Sequence, residues 1–270
     1  MNNTETTAGI ISFATYIPKA YHTADYIAAH SDTPADIIRT KLGWYQKNVP
    51  GPGDGTVAMG LKAARKALYY SGLDPSEIDL VIWSGEEVKE YRNWPVGPKI
   101  QKELNLTKAW SFDMQQRCGT TMVAFKVAKD MIRADKTIRN ILIATGYRNA
   151  DLIDYANSRQ RWMYFLSAGG AACVVQKDAP VNEILEGCFM TDGSFAWDVY
   201  VPQGGSAAPI ALEGLKEGKQ FLDTIDPVGM KERLEKRSLS NWLICIDEAL
   251  KKCGYTRKDV DYLATLLVKR

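Results

Sequence analysis

The chain has 270 residues, of which 46% are hydrophobic and 24% are charged, a composition typical of a globular protein. Its 34 basic and 32 acidic residues leave a net charge of +2, which gives no electrostatic case for nucleic acid or a membrane surface as a partner. No stretch reaches about 18 consecutive apolar residues, and the start MNNTETTAG lacks the features of a signal peptide. We therefore expect a soluble, cytoplasmic protein.

The cysteines predict neither a zinc site nor a disulfide framework. They are odd in number, widely spaced and without any CxxC pair. Spacing alone favours a small buried hydrophobic residue at each of the five positions: Cys118, Cys173, Cys188, Cys245 and Cys253. We expect no metal site.

The order of predicted helices and strands indicates an α/β architecture. Residues 9–18 (GIISFATYIP) form an apolar, β-branched run that ends at a proline and predicts a buried strand. Helical periodicity over residues 56–71 stops before Gly72, and residues 79–83 (DLVIW) predict the next strand. The alternation continues with helices at 98–104 and 119–134 and with strands at 109–113, 140–146 and 171–176.

An internal repeat predicts two similar halves. Residues 184–190 begin a second round of the pattern, residues 230–253 predict a helix before Gly254, and residues 260–267 predict a strand. The segments SGLDPSEIDLVIW and CGYTRKDVDYLATL both follow a helix, and they are separated by about 180 residues. We therefore predict halves at residues 1–178 and 179–270, the second of which needs roughly 60 to 80 more residues to match the first.

Cys118 is the candidate nucleophile. It follows the strand at 109–113 and the short segment MQQR, and it opens the helix predicted at 119–134. Backbone N–H groups and the helix dipole at such a position favour the thiolate, the form that attacks a carbonyl. Gly119 gives access to the sulfur, and Thr120 and Thr121 leave the first helical turn unobstructed by bulk.

Glu86 and Glu87 are candidates for proton transfer. Both carboxylates lie just past the buried strand at 79–83. Burial or mutual repulsion can raise the pKa of one of them towards neutrality, as general acid–base catalysis requires. A solvated loop is the alternative interpretation.

Several stretches resemble ketoacyl-acyl carrier protein synthase III and its relative hydroxymethylglutaryl-CoA synthase, of the thiolase superfamily. In chain order they are TPADIIRTKLGWYQKNV, TVAMGLKAARKALYYSGLDPSEIDLVIW, WSFDMQQRCGTTMVAFKVAKDMI, FLSAGGAACVV and MTDGSFAWDVYVPQGG. The resemblance implies a thiolase-like fold with αβαβα layers and two similar halves, the second incomplete in this chain. It also implies a homodimer or a hetero-oligomer with a related subunit.

The resemblance assigns the chemistry to Cys118 and Glu86. It implies that Cys118 carries an acyl group as a thioester, taken from acyl-CoA or acyl carrier protein. Coenzyme A thioesters are then substrates, and no permanently bound cofactor is implied. Glu86 matches the general acid/base of hydroxymethylglutaryl-CoA synthase, whereas type III ketoacyl synthases have no such glutamate there.

The same resemblance assigns substrate contacts to Lys41 and Trp94. Lys41 matches a basic residue that the family uses on the coenzyme A nucleotide, and an ammonium suits phosphate. Trp94 matches a segment that crosses the dimer interface and forms the floor of the partner's acyl pocket; a tryptophan in its own core is the alternative. Arg161 is a candidate contact for a carrier-protein carboxylate or a coenzyme phosphate.

Two glycine pairs complete the predicted binding residues. Gly169 and Gly170 match a glycine-rich turn whose small residues let the backbone approach the active site. Gly204 and Gly205 are predicted to line the cavity entrance.

The chain departs from the family at its catalytic histidine. The sequence holds only His22 and His30, and Leu266 and Leu267 occupy the position where the family places a histidine that stabilises the enolate. Two explanations remain: either the residues needed lie beyond Arg270, or the protein is a degenerate member that binds acyl groups without full turnover.

Three functions therefore remain open. The first is a condensing acyltransferase that resembles 3-oxoacyl synthase III, and the second is an enzyme like hydroxymethylglutaryl-CoA synthase. Transfer of the acyl group to another acceptor is a variant of the enzymatic hypothesis. The third is a non-catalytic, acyl-binding partner subunit of a condensing-enzyme complex.

Overall fold

The computed structural model describes residues 6–85 and 88–265. Its strands are β1 (Ala8–Tyr16), β2 (Tyr21–Thr23), β3 (Gln46–Asn48), β4 (Leu80–Trp83), β5 (Trp110–Asp113), β6 (Asn140–Tyr147), β7 (Gly169–Lys177), β8 (Val199–Tyr200) and β9 (Asp223–Thr224). Its α-helices are α1 (Ala24–Ala29), α2 (Ala35–Ile37), α3 (Thr56–Ser71), α4 (Gly97–Glu103), α5 (Thr120–Ala134), α6 (Leu212–Lys216) and α7 (Pro227–Lys252).

The described residues divide into two compact units that interleave along the sequence. Unit 1 comprises the residues up to Tyr21, Asn48–Asn149 and Ser167–Ile184; unit 2 comprises His22–Lys47, Ala150–Leu166 and the residues from Leu185 onwards. None of the helices in the described ranges is long and apolar enough to cross a membrane.

Unit 1 is built on a five-stranded mixed sheet with the order β1-β7-β6-β4-β5. β4 pairs in parallel with both β5 and β6, whereas β7 is antiparallel to β6 and to β1. All four residues of β4 are buried, as expected for a central strand with a continuous apolar sequence. The carboxyl ends of β4, β5 and β6 therefore meet at one edge of the sheet.

Each face of this sheet is covered by one long helix. Val81 and Trp83 point to a cluster that includes the apolar side chains of α3. Leu80 and Ile82 point to the opposite cluster, which includes the apolar side chains of α5. The two-residue period of the strand thus divides its side chains between the two cores.

Glycines bring α3 into close contact with the sheet. A Cβ on Gly146 would lie 2.1 Å from the carbonyl oxygen of Thr56, and a Cβ on Gly170 would lie 2.3 Å from that of Met59. Glycine is required at these positions because the backbones of helix and strand approach too closely for any side chain.

The start of α3 is capped by a residue that is distant in sequence. The carboxylate of Glu90 accepts hydrogen bonds from the N–H groups of Val57, at 2.8 Å, and Ala58, at 3.2 Å. These are two of the N–H groups that a helix leaves without an intrahelical partner. The segment that follows β4 is thereby attached to α3.

Unit 2 has its own core, formed by α1, the turn after α2 and residues 153–164. Buried members are Ala24, Ile27, Ile38, Ile153, Met163 and Tyr164. The long helix α7 contributes little to it, because Met230 is its only buried residue within the described chain. Leu239, Trp242 and Ile244 of α7 are exposed.

Lys47 is a buried lysine in unit 2, 6% exposed. Its ammonium donates to the carbonyl oxygen of Leu166 at 2.8 Å and lies 4.9 Å from the centre of the Tyr155 ring. Because these neutral groups do not replace the water lost on burial, the pKa of Lys47 falls to about 7.

Most of the predicted elements are confirmed. The helix at residues 56–71 matches α3, and the predicted strands around 9–18, 79–83 and 140–146 correspond to β1, β4 and β6. The strand predicted at 260–267 is wrong over residues 260–265, which form neither helix nor strand; the remainder lies outside the described residues. An apolar run forms a strand only when a neighbouring strand satisfies its backbone groups.

Replacing Gly146 tests the close contact between α3 and the sheet. Gly146→Ala should lower the free energy of unfolding by about 1–3 kcal/mol, because the new Cβ meets backbone rather than a flexible side chain. Chemical denaturation followed by circular dichroism measures this loss. Gly193→Ala is the control, since a Cβ there has no neighbour within 4 Å. Equal stability of the two variants would contradict the packing described.

Lys47 should make stability depend on pH. The unfolded chain keeps the lysine protonated up to its usual pKa of 10.5, whereas the folded chain releases the proton near 7. The unfolded state therefore binds more protons in between, and the free energy of unfolding should rise from about pH 7.5 to about pH 9 by up to about 1.4 kcal/mol per pH unit. Lys47→Met should remove this rise in denaturation experiments.

Lys62→Met is the control for that experiment. The pKa of Lys62 is raised by hydrogen bonds to Tyr16 and Asp54, so its contribution to stability changes only above its usual value of 10.5. The slope between about pH 7.5 and about pH 9 should be unchanged in this variant. An identical slope in wild type and Lys47→Met would show that Lys47 is not desolvated.

Candidate functional site

Cys118 lies in a short turn between β5 and α5. β5 ends at Asp113, residues Arg117–Gly119 form a single 3₁₀ turn, and α5 begins at Thr120. The N–H of Met114 donates to the carbonyl oxygen of Trp83 at 2.9 Å, which continues the pairing of β5 with β4 towards the turn. Cys118 is exposed, so a reagent or substrate can reach it from solvent.

The turn holds one residue in an unfavourable backbone conformation. Arg117 has a φ of +51°, in the left-handed region that favours glycine. A non-glycine residue there costs on the order of 1–3 kcal/mol and persists only where surrounding contacts fix it. The strain lies immediately before the candidate nucleophile.

The hydroxyl of Thr120 links both sides of this strained residue. It accepts a hydrogen bond from the N–H of Gln116 at 2.7 Å and donates one to the carbonyl oxygen of Arg117 at 2.6 Å. Thr120 is 3% exposed, so water competes little for these bonds. The sequence indicated only that this residue is small.

A second hydroxyl attaches α5 to the sheet. The Oγ1 of Thr121 lies 3.3 Å from the Oγ of Ser84, which follows β4. Ser84 is held in turn by β6, since its N–H donates to Ala144 at 2.9 Å and its carbonyl accepts from the hydroxyl of Thr145 at 3.0 Å. The first turn of α5 is thus fixed to the ends of β4 and β6.

A cavity of about 150 Å³ lies beside this first turn in unit 1. Thr121 and Phe125 of α5 form one wall, and residues of β1, β6 and β7 form the others. Its lining is mainly apolar. Cys118 lies three residues before Thr121 in the chain, in the turn that precedes α5.

The residues after Glu86 and Glu87 are firmly attached, although these two glutamates lie outside the described residues. The hydroxyl of Thr56 donates to the carbonyl of Val88 at 2.7 Å, and Lys89 forms a 3.1 Å ion pair with Asp113. Asp113 also accepts from the N–H groups at the start of α4 at 2.9 Å. The end of β5 and the segment after β4 are therefore held together.

Trp94, Gly169 and Gly170 all make packing contacts in unit 1. Trp94 is half-buried against the core on the α3 side and meets Tyr91 edge-on, with ring centres 5.4 Å apart. Gly170 lies against Met59 of α3, on the face of the sheet opposite the cavity. The predicted binding roles of these three residues remain predictions.

The other predicted binding residues belong to unit 2. Lys41 is exposed in the turn Ile38–Leu42, and Arg161 forms a 2.8 Å ion pair with Asp32. Gly204 has a φ of +110°, and a Cβ placed on Gly205 would have no neighbour within 4 Å. Their substrate contacts also remain predictions.

Both histidines of the chain lie in unit 2 and are occupied by aromatic contacts. Tyr26 stacks between them, with ring centres 4.0 Å from His22 and 4.2 Å from His30. Burial lowers the pKa of His22, whose Nδ1 lies 3.0 Å from the hydroxyl of Tyr155. Leu266 and Leu267 lie outside the described residues.

Cys173 differs from Cys118 in its surroundings. It is buried in β7, and burial raises the pKa of its thiol to about 12, so it is inert at neutral pH. The expectation of a small buried hydrophobic residue is confirmed for Cys173. It is wrong for Cys118, which is exposed.

Cys118 lies in a segment of the chain that matches a known protein family. Residues 112–193, which include Cys118, match the family described as 3-oxoacyl-[acyl-carrier-protein (ACP)] synthase III. The β-ketoacyl-[acyl-carrier-protein] synthase III of Chlamydia caviae is 28% identical over 257 residues, covering 95% of this chain and 74% of that protein. The enzyme of the same name from Chlamydia pneumoniae is 29% identical, covering 80% of this chain and 63% of that protein.

Solved structures show the same fold. The priming β-ketosynthase of the R1128 polyketide pathway matches with a TM-score of 0.80 at 22% identity, covering 94% of this chain and 72% of that one. Xanthomonas campestris OleA matches with a TM-score of 0.77 at 15% identity, covering 98% and 77%. The thiolase-like fold expected from the sequence is confirmed. The chain is therefore similar in sequence to β-ketoacyl-[acyl-carrier-protein] synthase III, a condensing enzyme, and shares the fold of such enzymes.

Proposed function

We propose that Cys118 is the nucleophile of an acyltransferase that takes an acyl group from acyl-CoA or acyl carrier protein. The observation that carries the proposal is an exposed cysteine in the turn between β5 and α5, inside the segment that matches the synthase III family. A thiol at the start of a fifteen-residue helix faces the positive end of the helix dipole. This favours the thiolate.

The first half-reaction is acyl transfer to sulfur. The Cys118 thiolate attacks the thioester carbonyl, a tetrahedral oxyanion forms, and the coenzyme A or carrier thiol leaves as the carbonyl is restored. Backbone N–H groups near Cys118 are proposed to receive the oxyanion. The product is an acyl-cysteine thioester.

The second half-reaction is condensation with a second thioester. Loss of a proton from the α-carbon of that thioester gives an enolate, which attacks the acyl-cysteine carbonyl as the Cys118 thiolate leaves. Glu86 is proposed to accept that proton, and a glutamate in this role favours the alternative of an enzyme like hydroxymethylglutaryl-CoA synthase. That alternative rests on the sequence SGEE after β4, since Glu86 lies outside the described residues.

We further propose how the substrates are held. Lys41 and Arg161 are assigned to the phosphates of coenzyme A or the acidic surface of a carrier protein, since both are exposed cations. Trp94 is assigned to the floor of a partner subunit's acyl pocket, Gly169 and Gly170 to a close approach of backbone to the active site, and Gly204 and Gly205 to substrate binding. We also propose a cytoplasmic location and two similar halves, residues 1–178 and 179–270. The assembly is proposed to be a homodimer or a hetero-oligomer with a related subunit.

Acylation of Cys118 tests the proposed function directly. Incubation with acetyl-CoA and with longer acyl-CoA thioesters should raise the mass of the protein by one acyl group, located at Cys118 by peptide mass spectrometry. Cys118→Ser should abolish the adduct, because an unactivated hydroxyl is a far weaker nucleophile than a thiolate.

Cys173→Ala is the matched control for a cysteine. Its thiol is buried, with a pKa raised to about 12, so its loss should leave acylation unchanged. Absence of an adduct with every acyl donor, including acyl carrier protein, would favour the non-catalytic partner subunit instead.

Glu86→Gln separates the two half-reactions. The variant should still form the acyl-cysteine but should slow its consumption by a second thioester by about 10²- to 10⁴-fold, because only the later step needs proton transfer. Single-turnover mass spectrometry follows both steps. Glu87→Gln is the control and should retain turnover, so equal losses in the two variants would remove the specific role of Glu86.

A further inference from the structure

One buried hydroxyl spans the turn that carries Cys118. The hydroxyl of Thr120 bonds to the N–H of Gln116 on one side and to the carbonyl of Arg117 on the other, at 2.7 and 2.6 Å. A threonine hydroxyl accepts and donates at the same time, so this side chain contacts both residues, and it adds to the bond that the N–H of Thr120 donates to the carbonyl of Arg117. Thr120 is itself held in place as the first residue of α5.

We propose that Thr120 is a positioning residue for acyl transfer: its hydroxyl holds Arg117 in the left-handed conformation and so directs the Cys118 thiol. This inference rests on the proposed role of Cys118 as nucleophile. It adds a device that neither the family match nor the sequence motif assigns.

The backbone angles locate the strain. Gln116 has φ and ψ of −153° and 44°, Arg117 has a φ of +51°, and Gly119 has returned to right-handed angles of −83° and −6°. The reversal of the chain is therefore concentrated in Gln116 and Arg117. If Arg117 relaxes to a negative φ, every atom after it turns with the rotation, and the first of these is Cys118.

The neighbouring Thr121 performs a different task. Its hydroxyl lies 3.3 Å from that of Ser84 and attaches the helix to the sheet. Loss of a hydroxyl at position 121 should disturb the anchoring of α5. Loss at position 120 should disturb the direction of the thiol.

The experiment uses the full chain and two readouts at Cys118. Thr120→Val should slow acylation by acetyl-CoA about tenfold or more, because a misdirected nucleophile loses its attack geometry. It should also shift the pH profile of iodoacetamide labelling at Cys118 to higher pH. Thr120→Ser should restore both readouts, and Thr137→Val, at an exposed threonine that bonds to Asp135, should change the acylation rate by less than about threefold. If Thr120→Val fails to fold by circular dichroism, Thr120→Ala replaces it.

Substitutions at Arg117 distinguish positioning from general destabilisation. In the Thr120→Val background, Arg117→Gly should recover at least about threefold of the acylation rate, since glycine adopts a positive φ without strain. Arg117→Ala removes the same side chain but keeps the strain, so it should recover nothing.

The outcomes separate this inference from the proposed function. Wild-type protein that is never acylated at Cys118 overturns the proposed function. Wild-type protein that is acylated, together with a Thr120→Val variant of equal rate, overturns only the positioning role. Equal recovery with Arg117→Gly and Arg117→Ala also overturns it.

Discussion

The position of Cys118 depends on the parallel pairing of β4 with β5 and β6. Parallel strands end at the same edge of a sheet, so the residues that follow them lie side by side although they are far apart in sequence. Ser84 follows β4, and the turn of Cys118 follows β5. This is the general location of binding sites in open α/β sheets, at the carboxyl ends of the strands.

Two sets of contacts preserve that edge. Glycines on α3 and on the strands it covers allow backbone to approach backbone on one face. On the other face, hydroxyl groups connect α5 to Ser84 and to its own preceding turn. Both sets bring groups into close contact in buried or partly buried surroundings, which helps to hold Arg117 in its left-handed conformation.

Cys118 and Cys173 have different surroundings within the same fold. Cys173 lies within β7, where burial stabilises the neutral thiol and raises its pKa to about 12. Cys118 is exposed beside the start of a helix. Location within the fold, rather than residue type, therefore separates a structural cysteine from a candidate nucleophile.

Local apolar periodicity in the sequence is enough to predict the alternation of helices and strands and the placement of Cys118 between β5 and α5. The thiolase-like fold class comes instead from the resemblance of five collinear stretches to the synthase III family. The carboxyl end of α3 at Ser71 can be predicted from the sequence because Gly72, which follows it, adopts a positive φ and ends the helix.

The contacts that hold the candidate site are visible only in the tertiary structure, because they join residues far apart in sequence. Glu90 reaches α3 across 33 residues, Thr121 meets Ser84 across 37, and the left-handed angle of Arg117 has no signature in residue type. The strand predicted at 260–267 fails over its described part for a related reason. An isolated apolar run gives no information about whether a neighbouring strand is present to pair with it, and the backbone hydrogen bonds of a strand are made only between segments.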